Sequence, residues 1–207
     1  MQASLLFKLL RRYVMTKQEI RKLYLQKRRN LSPQEHRQLS ELICEKVFDF
    51  IDSTHFKALH CYLPIAKFCE IDTTILLRKI DTKTEVKVYI PKVYEQTMSH
   101  HLWTSQIALV TNKWGILEPN APEAPSALPQ HLLVIVPLLS FDITGHRVGY
   151  GKGFYDRFLA DLGHETLKIG ISFFEPVETI KDTTPLDQKL DICFTPNRCY
   201  DFRKANF

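Results

Sequence analysis

The sequence predicts a single α/β domain, with a mainly parallel central sheet flanked by helices on both faces and a basic helix near its N-terminal end. Two observations lead to this prediction. Short apolar runs alternate with stretches of helical periodicity, which is the pattern of βαβ units. The chain has 207 residues, 44% of them hydrophobic, and that length suits one domain with its own core.

Two helices are predicted first. Residues 17–29 carry apolar side chains at helical spacing within a strongly charged stretch. A second helix follows, because Ser32, Pro33 and Glu35 form the pattern of a capping box with proline at the first helical position. Its apolar periodicity continues to Phe50.

A strand–helix–strand unit comes next. Residues 57–63 predict a strand that Pro64 ends, and Asp72 is expected to cap a helix that continues to Ile80. Residues 86–90 form a second strand, which Pro91 is expected to end. Strands joined in this way are parallel and make a right-handed crossover.

The second half of the chain repeats the same order. Residues 131–137 are continuously apolar, as in a central parallel strand, and are followed by a helix at 154–162 and a strand at 167–172. Between the halves, residues 97–118 predict a hairpin or short strands. Residues 119–129 contain four prolines and predict an irregular surface connection.

Charge is distributed unevenly along the chain. Residues 1–29 hold nine Lys or Arg and one acidic residue, whereas the remainder holds 19 basic and 22 acidic residues. A basic segment is typical of an RNA-binding surface, of a solvated helix face or of a site for a smaller polyanion. Aromatic residues are not interleaved with this charge, which counts against RNA.

Several other classes of protein are excluded. The five cysteines form no CxxC pair and the eight histidines no HxxxH, so zinc spacing is absent and reduced, cytoplasmic thiols are expected. Residues 1–14 resemble neither a membrane span nor a secretory signal. We expect residues 1–14 to be a non-functional extension and residues 15–207, beginning at Met15, to be the functional domain.

The most informative segment is residues 141–157, which lies between a buried strand and a helix. Four of the seven glycines fall within residues 145–153. Alternating glycines let backbone N–H groups approach a ligand, and Arg147 and Lys152 add positive charge, so the segment predicts a phosphate-binding loop. It matches neither the P-loop nor GxGxxG, and a tight turn without a ligand is the alternative. A Cβ at Gly151 is expected to point into the space that a nucleotide needs.

Two acidic residues are candidates for binding Mg²⁺. Asp156 lies in the first turn of the helix after the loop, where a carboxylate either holds a metal ion near a phosphate or complements the helix dipole. Asp191 precedes a short final strand, and a purely structural role at the strand end is its alternative.

These residues together resemble the 5-formyltetrahydrofolate cyclo-ligase family. The similar features are a basic helix (Lys17, Arg21, Arg28, Arg29), a capped second helix (Ser32 to Glu35), Leu63-Pro64 followed by Glu70 to Thr73, the loop Phe141 to Asp156 and the acidic Asp191. The loop fits the family signature F-D-x-x-G-x-R-[LV]-G-x-G-x-G-[YF]-Y-D throughout. The resemblance covers residues 15 to about 196.

The resemblance implies a role for each matching residue. Arg21 and Lys152 are the implied catalytic residues. The implied ATP-binding residues are Lys17, Gln18, Glu19, Ile20, Arg21, Arg147, Val148, Gly149, Tyr150, Gly151, Lys152, Gly153, Phe154 and Tyr155. The implied folate-binding residues are Leu63, Ile65, Glu70, Trp114, Tyr150, Gly151, Lys152, Gly153 and Phe154, and the implied metal ligands are Asp156 and Asp191.

Two of these assignments stay open. Six residues separate Leu63 from Glu70, where the family more usually has four, so either Leu63 or Ile65 lines the pterin pocket. Trp114 is similar to a family tryptophan that contacts the folate, and an aromatic anchor of the hairpin is the alternative.

The implied reaction is the ATP- and Mg²⁺-dependent closure of 5-formyltetrahydrofolate to 5,10-methenyltetrahydrofolate, with release of ADP and phosphate. Phosphorylation makes the formyl oxygen a leaving group, and N10 then closes the ring, so the protein needs to position and stabilise charge rather than to supply a nucleophile. We expect a cytoplasmic monomer that acts on a folate with or without a polyglutamate tail and binds no nucleic acid or membrane. The alternatives are another ATP-dependent kinase or ligase on the same fold and, less favoured, an RNA-binding module that uses the basic helix.

Overall fold

The computed structural model describes residues 14–94, 97–112, 115–120 and 125–204. In chain order the helices within them are α1 (Lys17–Arg29), α2 (Pro33–Asp52), α3 (Thr74–Lys83) and α4 (Phe154–Ala160). The strands are β1 (Ala58–His60), β2 (Lys87–Tyr94), β3 (Thr97–Leu102), β4 (Leu109–Thr111), β5 (Leu117–Pro119), β6 (Leu132–Val136), β7 (Ser140–Phe141), β8 (Arg147–Val148), β9 (Thr166–Ile171), β10 (Ile192–Phe194) and β11 (Cys199–Asp201).

The central sheet has the strand order β11-β10-β9-β6-β1-β2-β3 across the described residues. Its five inner strands are parallel to one another, and β11 and β3 are antiparallel strands at its edges. β4 pairs with β5, and β7 with β8, in two small hairpins. The predicted fold class, an α/β domain with a mainly parallel sheet, is confirmed.

Both faces of the sheet are covered, as expected for a parallel sheet. All five residues of β6 are buried, because its alternate side chains point to opposite faces. Leu133 and Ile135 join the cluster formed with α2 and α3. Val134 and Val136 join the cluster that contains Phe158 of α4. This double burial explains why the sequence of β6 is continuously apolar.

Helix α1 lies against the β7–β8 hairpin rather than on the sheet itself. Ile20 and Tyr24 pack with Val148 of β8 in a third apolar cluster. The helix begins with a capping box, in which Thr16 and Glu19 bond reciprocally. Because the hairpin leads directly into the glycine loop, this packing holds α1 beside that loop.

The structure differs from the sequence prediction at Pro91. The residue lies inside β2 and does not end it. β2 pairs with β1 only up to Tyr89, and beyond that point it is bonded on one side alone, to β3. A proline in a strand with one open side costs no ladder hydrogen bond, so Pro91 is tolerated there.

Two further details refine the prediction, since Asp72 lies at the start of the helix as expected but the helix continues to Lys83. The α3 helix begins at Thr74, and Asp72 secures its start by accepting hydrogen bonds from the Thr74 backbone N–H, at 3.1 Å, and hydroxyl, at 2.6 Å. The antiparallel edge strand β11 follows β10, where the sequence analysis placed one final strand. None of the helices in the described ranges is both long and apolar enough to cross a membrane.

Candidate active site

A cavity of about 500 Å³ opens at the carboxyl ends of the parallel strands. Tyr62 and Leu63, just after β1, and Pro137, just after β6, form its floor. The glycine loop, α1 and the segment around Asp187 contribute its polar residues. Ligands of open α/β sheets bind at this end of the strands, so the cavity is the candidate active site.

Most of the site residues predicted from the sequence line this cavity. They are Lys17, Arg21, Leu63, Ile65, Glu70, Arg147, Gly149, Tyr150, Gly151, Lys152, Gly153, Phe154, Tyr155 and Asp156. Leu63 and Ile65 both line it, so the structure does not exclude either candidate for the pterin pocket.

The glycine loop adopts a backbone conformation that glycine favours. Gly151 has a φ of +86° and Gly153, the residue before α4, a φ of +69°. A Cβ built on Gly151 would lie 3.2 Å from Cζ of Arg21, whose Nε donates a hydrogen bond of 2.9 Å to the Gly149 carbonyl. A Cβ at Gly151 would therefore point toward the guanidinium of Arg21, a predicted nucleotide-binding residue, and the expectation that it enters the space a nucleotide needs stays a prediction.

Two ion pairs bring cations and carboxylates together in the cavity. Arg147 Nη2 lies 2.9 Å from Asp156 Oδ1, and the Arg147 side chain is 5% exposed. Lys17 Nζ lies 2.6 Å from Asp187 Oδ2. Lys152 also lines the cavity and is exposed, with no hydrogen bond from its ammonium group to the described residues.

Burial and hydrogen bonding set the charges of these groups. Burial would raise the pKa of Asp187, but hydrogen bonds from Lys17 and from the Thr184 backbone N–H outweigh it and lower that pKa. Burial lowers the pKa of Arg147, while the Asp156 carboxylate acts in the opposite direction. The Asp156 carboxylate also accepts from the Gln188 backbone N–H at 3.2 Å.

The rest of the cavity lining is mainly apolar, with Lys67, Glu70 and Glu118 as its charged members. Its apolar members come from the loop after β1, from β2 and β3, and from β5 and the residue before it, and they are Leu63, Ile65, Phe68, Pro91, Val93, Met98, Ile116 and Leu117. The ring of Phe68 stacks on that of Tyr150, with centroids 4.5 Å apart and an interplanar angle of 18°. One cavity therefore offers cations for phosphate groups and flat apolar surface for an aromatic ligand.

A buried carboxylate faces this apolar region. Glu70 is 4% exposed and accepts a hydrogen bond of 2.6 Å from the Ile65 backbone N–H. Burial raises the pKa of Glu70, against the hydrogen bonds from Tyr150 and Ile65 and the charge of Arg28. Such a carboxylate is suited to accept hydrogen bonds from N–H groups of a flat heterocycle.

The structure does not bring Asp191 into the cavity with Asp156. Asp191 precedes β10, at the amino end of that strand, whereas the cavity lies at the carboxyl ends. Its carboxylate accepts a hydrogen bond of 2.7 Å from the Lys168 backbone N–H and lies 3.6 Å from Lys168 Nζ. Asp191 thus has the structural role of joining β9 to β10, and its prediction as a metal ligand is corrected.

Four other predicted residues lie outside the cavity lining. Gln18 and Glu19 are exposed, and Ile20 and Val148 are fully buried in the apolar cluster under α1. A helix presents every third or fourth residue to one side, so of residues 17–21 only Lys17 and Arg21 line the cavity. The predicted Trp114 lies outside the described residues.

Three important residues were missed by the sequence analysis. Asp187 lines the cavity, only four positions before Asp191, and its partner Lys17 lies 170 positions away in the sequence. Phe68 lies on a short 3₁₀ turn, Ala66–Phe68, inside the six-residue spacing that was noted only for its length. Arg28 was noted only as part of a basic helix, and no local pattern shows that its side chain is buried.

The fold and the cavity define an α/β protein whose cavity places cationic side chains for a phosphate-bearing ligand beside apolar surface for a flat ligand. Residues 14–196 match the model of the 5-formyltetrahydrofolate cyclo-ligase family. Because this match covers most of the chain, the protein belongs to the 5-formyltetrahydrofolate cyclo-ligase family.

Individual relatives agree with this assignment. The 5-formyltetrahydrofolate cyclo-ligase of Mycoplasma pneumoniae is 29% identical over 181 residues, which cover 86% of this chain and 97% of that protein. The probable 5-formyltetrahydrofolate cyclo-ligase of Schizosaccharomyces pombe is 30% identical over 75% of this chain and 83% of its own. The solved structure of Aquifex aeolicus 5,10-methenyltetrahydrofolate synthetase superimposes with a TM-score of 0.77 at 30% identity, covering 93% of this chain and 96% of that one.

Proposed function

We propose that the protein closes the ring of 5-formyltetrahydrofolate to give 5,10-methenyltetrahydrofolate, and that this reaction consumes ATP. The observation that carries the proposal is the composition of one cavity, in which Lys17, Arg21 and Lys152 accompany an apolar lining and the buried Glu70. The names of the relatives support the same substrate and product.

The polar part of the cavity fits the phosphates of ATP. Arg21 is held against the glycine loop by its bond to the Gly149 carbonyl, so its guanidinium has a fixed place beside the loop. Lys152 is free to turn toward a phosphate. Cations and backbone N–H groups arranged in this way stabilise the charge of a transferred phosphoryl group, which is the role we assign to Arg21 and Lys152.

The acidic residues in the cavity fit Mg²⁺. Asp156 and Asp187 both line it and supply carboxylate oxygens, the ligands that Mg²⁺ prefers. Each already bonds a cationic side chain, so a metal ion would share the carboxylates with Arg147 and Lys17. We propose Asp156 and Asp187 as its ligands. When bound, Mg²⁺ neutralises part of the phosphate charge.

The apolar part of the cavity fits the folate. Glu70 would accept hydrogen bonds from the pterin ring, and Leu63 and Ile65 would contact its flat surface. Tyr155 adds a buried hydroxyl in the cavity wall that has no hydrogen-bond partner among the described residues. Unpartnered buried groups are costly, so a polar ligand atom that pairs with this hydroxyl would be favoured.

The chemistry needs positioning and charge stabilisation from these side chains. ATP supplies the phosphoryl group that activates the formyl oxygen. Arg21 and Lys152 stabilise the charge on that group, while the apolar lining and Glu70 hold the folate so that N10 lies close to the formyl carbon. The cavity walls also exclude water from the reacting atoms.

The RNA-binding alternative loses part of its support, because three of the six cations of α1 have partners within the protein or are buried. Lys17 is paired with Asp187, Arg21 is bonded to the loop, and Arg28 is 2% exposed. These cations of α1 face the inside of the protein rather than a solvated surface. We also propose a cytoplasmic monomer, and the unpaired state of all five cysteines supports the reducing compartment.

The proposed function is tested by mixing the purified protein with MgATP and 5-formyltetrahydrofolate and recording the absorbance of the methenyl product. We expect product and one released phosphate per ring closed, and neither when ATP is omitted. Binding of ATP without methenyl product would show that the substrate is wrong and would favour another ATP-dependent kinase or ligase.

A further inference from the structure

Arg28 is a buried cation that lies behind the cavity wall. Its side chain is 2% exposed, whereas the neighbouring Arg29 on the same helix is exposed. Burying a guanidinium is costly unless strong hydrogen bonds compensate for the lost water. Arg28 Nη1 donates to the Tyr150 hydroxyl at 2.9 Å, and Nη2 donates to the Leu138 carbonyl.

The bond from Arg28 fixes the direction of the next hydrogen bond. A guanidinium only donates, so the Tyr150 oxygen must accept from Arg28. The phenolic hydrogen is then left for an acceptor, and the buried Glu70 carboxylate, whose pKa this hydroxyl lowers, is the acceptor that the site offers. Glu70 receives a second hydrogen bond from the Ile65 backbone N–H. A directed chain thus passes from Arg28 through Tyr150 to Glu70.

This chain joins three separate parts of the site. Arg28 belongs to α1, Tyr150 to the glycine loop, and Glu70 to the loop after β1. Tyr150 and Glu70 line the cavity, while Arg28 does not. The same bond holds the Tyr150 ring where it stacks on Phe68. Arg28 can therefore act on a ligand only through the residues that it orients.

We propose that Arg28 is a positioning residue for the folate, because it orients the Tyr150 ring and, through its hydroxyl, the Glu70 carboxylate. The inference rests on the proposed function for the identity of the ligand. Helix α1 then contributes to both sides of the site. Lys17 and Arg21 bind the nucleotide, and Arg28 positions the residues that bind the folate.

Three single variants and one double variant test this role. Arg28→Met removes both donors, Arg28→Lys keeps the charge and one possible donor, and Tyr150→Phe keeps the ring but removes the hydroxyl. The double variant combines Arg28→Met with Tyr150→Phe. The matched control is Arg29→Met, which removes an exposed arginine one position away. Binding of 5-formyltetrahydrofolate and of MgATP is measured separately by calorimetry, together with KM and kcat.

We expect Arg28→Met to weaken folate binding by about tenfold, the effect of one charge-assisted hydrogen bond. MgATP binding should stay within about twofold of the wild type, and Arg28→Lys should recover part of the folate affinity. The double variant should bind folate no more weakly than Tyr150→Phe alone, because both changes break the same chain. Arg29→Met should match the wild type in every measurement.

The outcomes distinguish this inference from the proposed function. Wild-type turnover decides the function, and the pattern among the variants decides the role of Arg28. Equal losses for folate and MgATP, or additive losses in the double variant, would overturn the positioning role even in an active enzyme. If Arg28→Met does not fold, the comparison of Arg28→Lys with Tyr150→Phe still decides, since normal folate binding in both contradicts the proposal.

Discussion

Lys152 and Asp156 lie four residues apart around the start of α4 but have different surroundings. Lys152 is exposed, and Asp156 is bonded to Arg147. We predict that Lys152→Ala and Asp156→Asn each lower turnover by at least about tenfold, because Lys152 stabilises the transferred phosphoryl group and Asp156 is a proposed ligand of Mg²⁺. The melting temperature should change little for the exposed Lys152→Ala, whereas Asp156→Asn should lower it, because the Asp156 carboxylate pairs with the buried Arg147.

Matched controls separate this effect from a general change in charge. Lys57→Ala and Asp81→Asn make the same chemical changes at exposed positions away from the cavity. Steady-state turnover and thermal unfolding are measured for all four variants. Normal turnover in both Lys152→Ala and Asp156→Asn would contradict the assignment of the nucleotide side of the site.

Gly151 links backbone conformation to the position of a catalytic side chain. We predict that Gly151→Ala lowers turnover by at least about tenfold and destabilises the fold by about 1 kcal/mol. The positive φ strains any L-residue there, and the new Cβ, 3.2 Å from Cζ of Arg21, would displace that guanidinium. Gly163→Ala is the control, because its φ is not positive and its Cβ would meet no atom within 4 Å.

These variants are compared by kinetics and by denaturant unfolding. If Gly151→Ala loses stability but keeps full turnover, the placement of Arg21 by the glycine loop does not matter for the reaction. Equal effects of the two glycine variants would contradict the role of the positive φ.

The limits of sequence reasoning are clear at single residues. The glycine loop was predictable because its backbone requirement is local, and so was Asp156 in the first turn of the helix. Asp187 was not, because its partner Lys17 comes from a distant part of the chain. Asp191 was mistaken for a ligand because a carboxylate that bonds a backbone N–H looks the same in sequence as one that binds a metal ion.

At the level of elements, the sequence predicted best where one interaction decides the structure. The capping box of α2 and the doubly buried β6 both appear as expected. The sequence did not predict that β2 continues through Pro91, because this depends on the second half of the strand being bonded to β3 alone. The apolar wall that β2, β3 and β5 form was also not predicted. The order of strands brings them to the cavity, and the local sequence does not show that order.

Strands β1 and β3, which lie on either side of β2, contribute a pair of histidines that gives stability a pH dependence, with His60 buried and His100 partly buried. His60 Nε2 of β1 lies 3.1 Å from His100 Nδ1 of β3, and both rings pack on Phe158 of α4. Burial, with the neighbouring His100, lowers the pKa of His60 well below its ordinary value. Burial, with the neighbouring His101, lowers the pKa of His100 to about 4.

The sign of the effect follows from these directions. Below pH about 6.5 the unfolded histidines bind protons, while the folded pair resists protonation, so the free energy of unfolding falls as the pH falls from about 6.5 toward 4. We predict a lower urea midpoint at pH 5 than at pH 7.5. His100→Gln should reduce this difference, and the exposed His164→Gln should leave it unchanged. The same difference in all three proteins would contradict the assignment.

For the molecule as a whole, α1 is the element that completes the site. It packs on the β7–β8 hairpin through Ile20 and Tyr24, and it contributes Lys17 and Arg21 to the cavity. The sheet forms the floor of the cavity, and α1 does not contribute to that floor. The sheet and the other helices therefore build two of the three apolar clusters, while α1 builds the third and supplies Lys17 and Arg21 to the site.

This division predicts how much of the N-terminal region the protein needs. The Met15 carbonyl accepts a hydrogen bond of 2.9 Å from the Lys181 backbone N–H, and Thr16 begins the capping box of α1. A chain that begins at Met15 retains both features, so we predict turnover within about twofold of the full chain and the same melting temperature. A chain that begins at Lys22 lacks the cap, Lys17 and Arg21, and should lose turnover. Reduced turnover or a lower melting temperature in the Met15 chain would show that residues 1–14 contribute to the fold or the site.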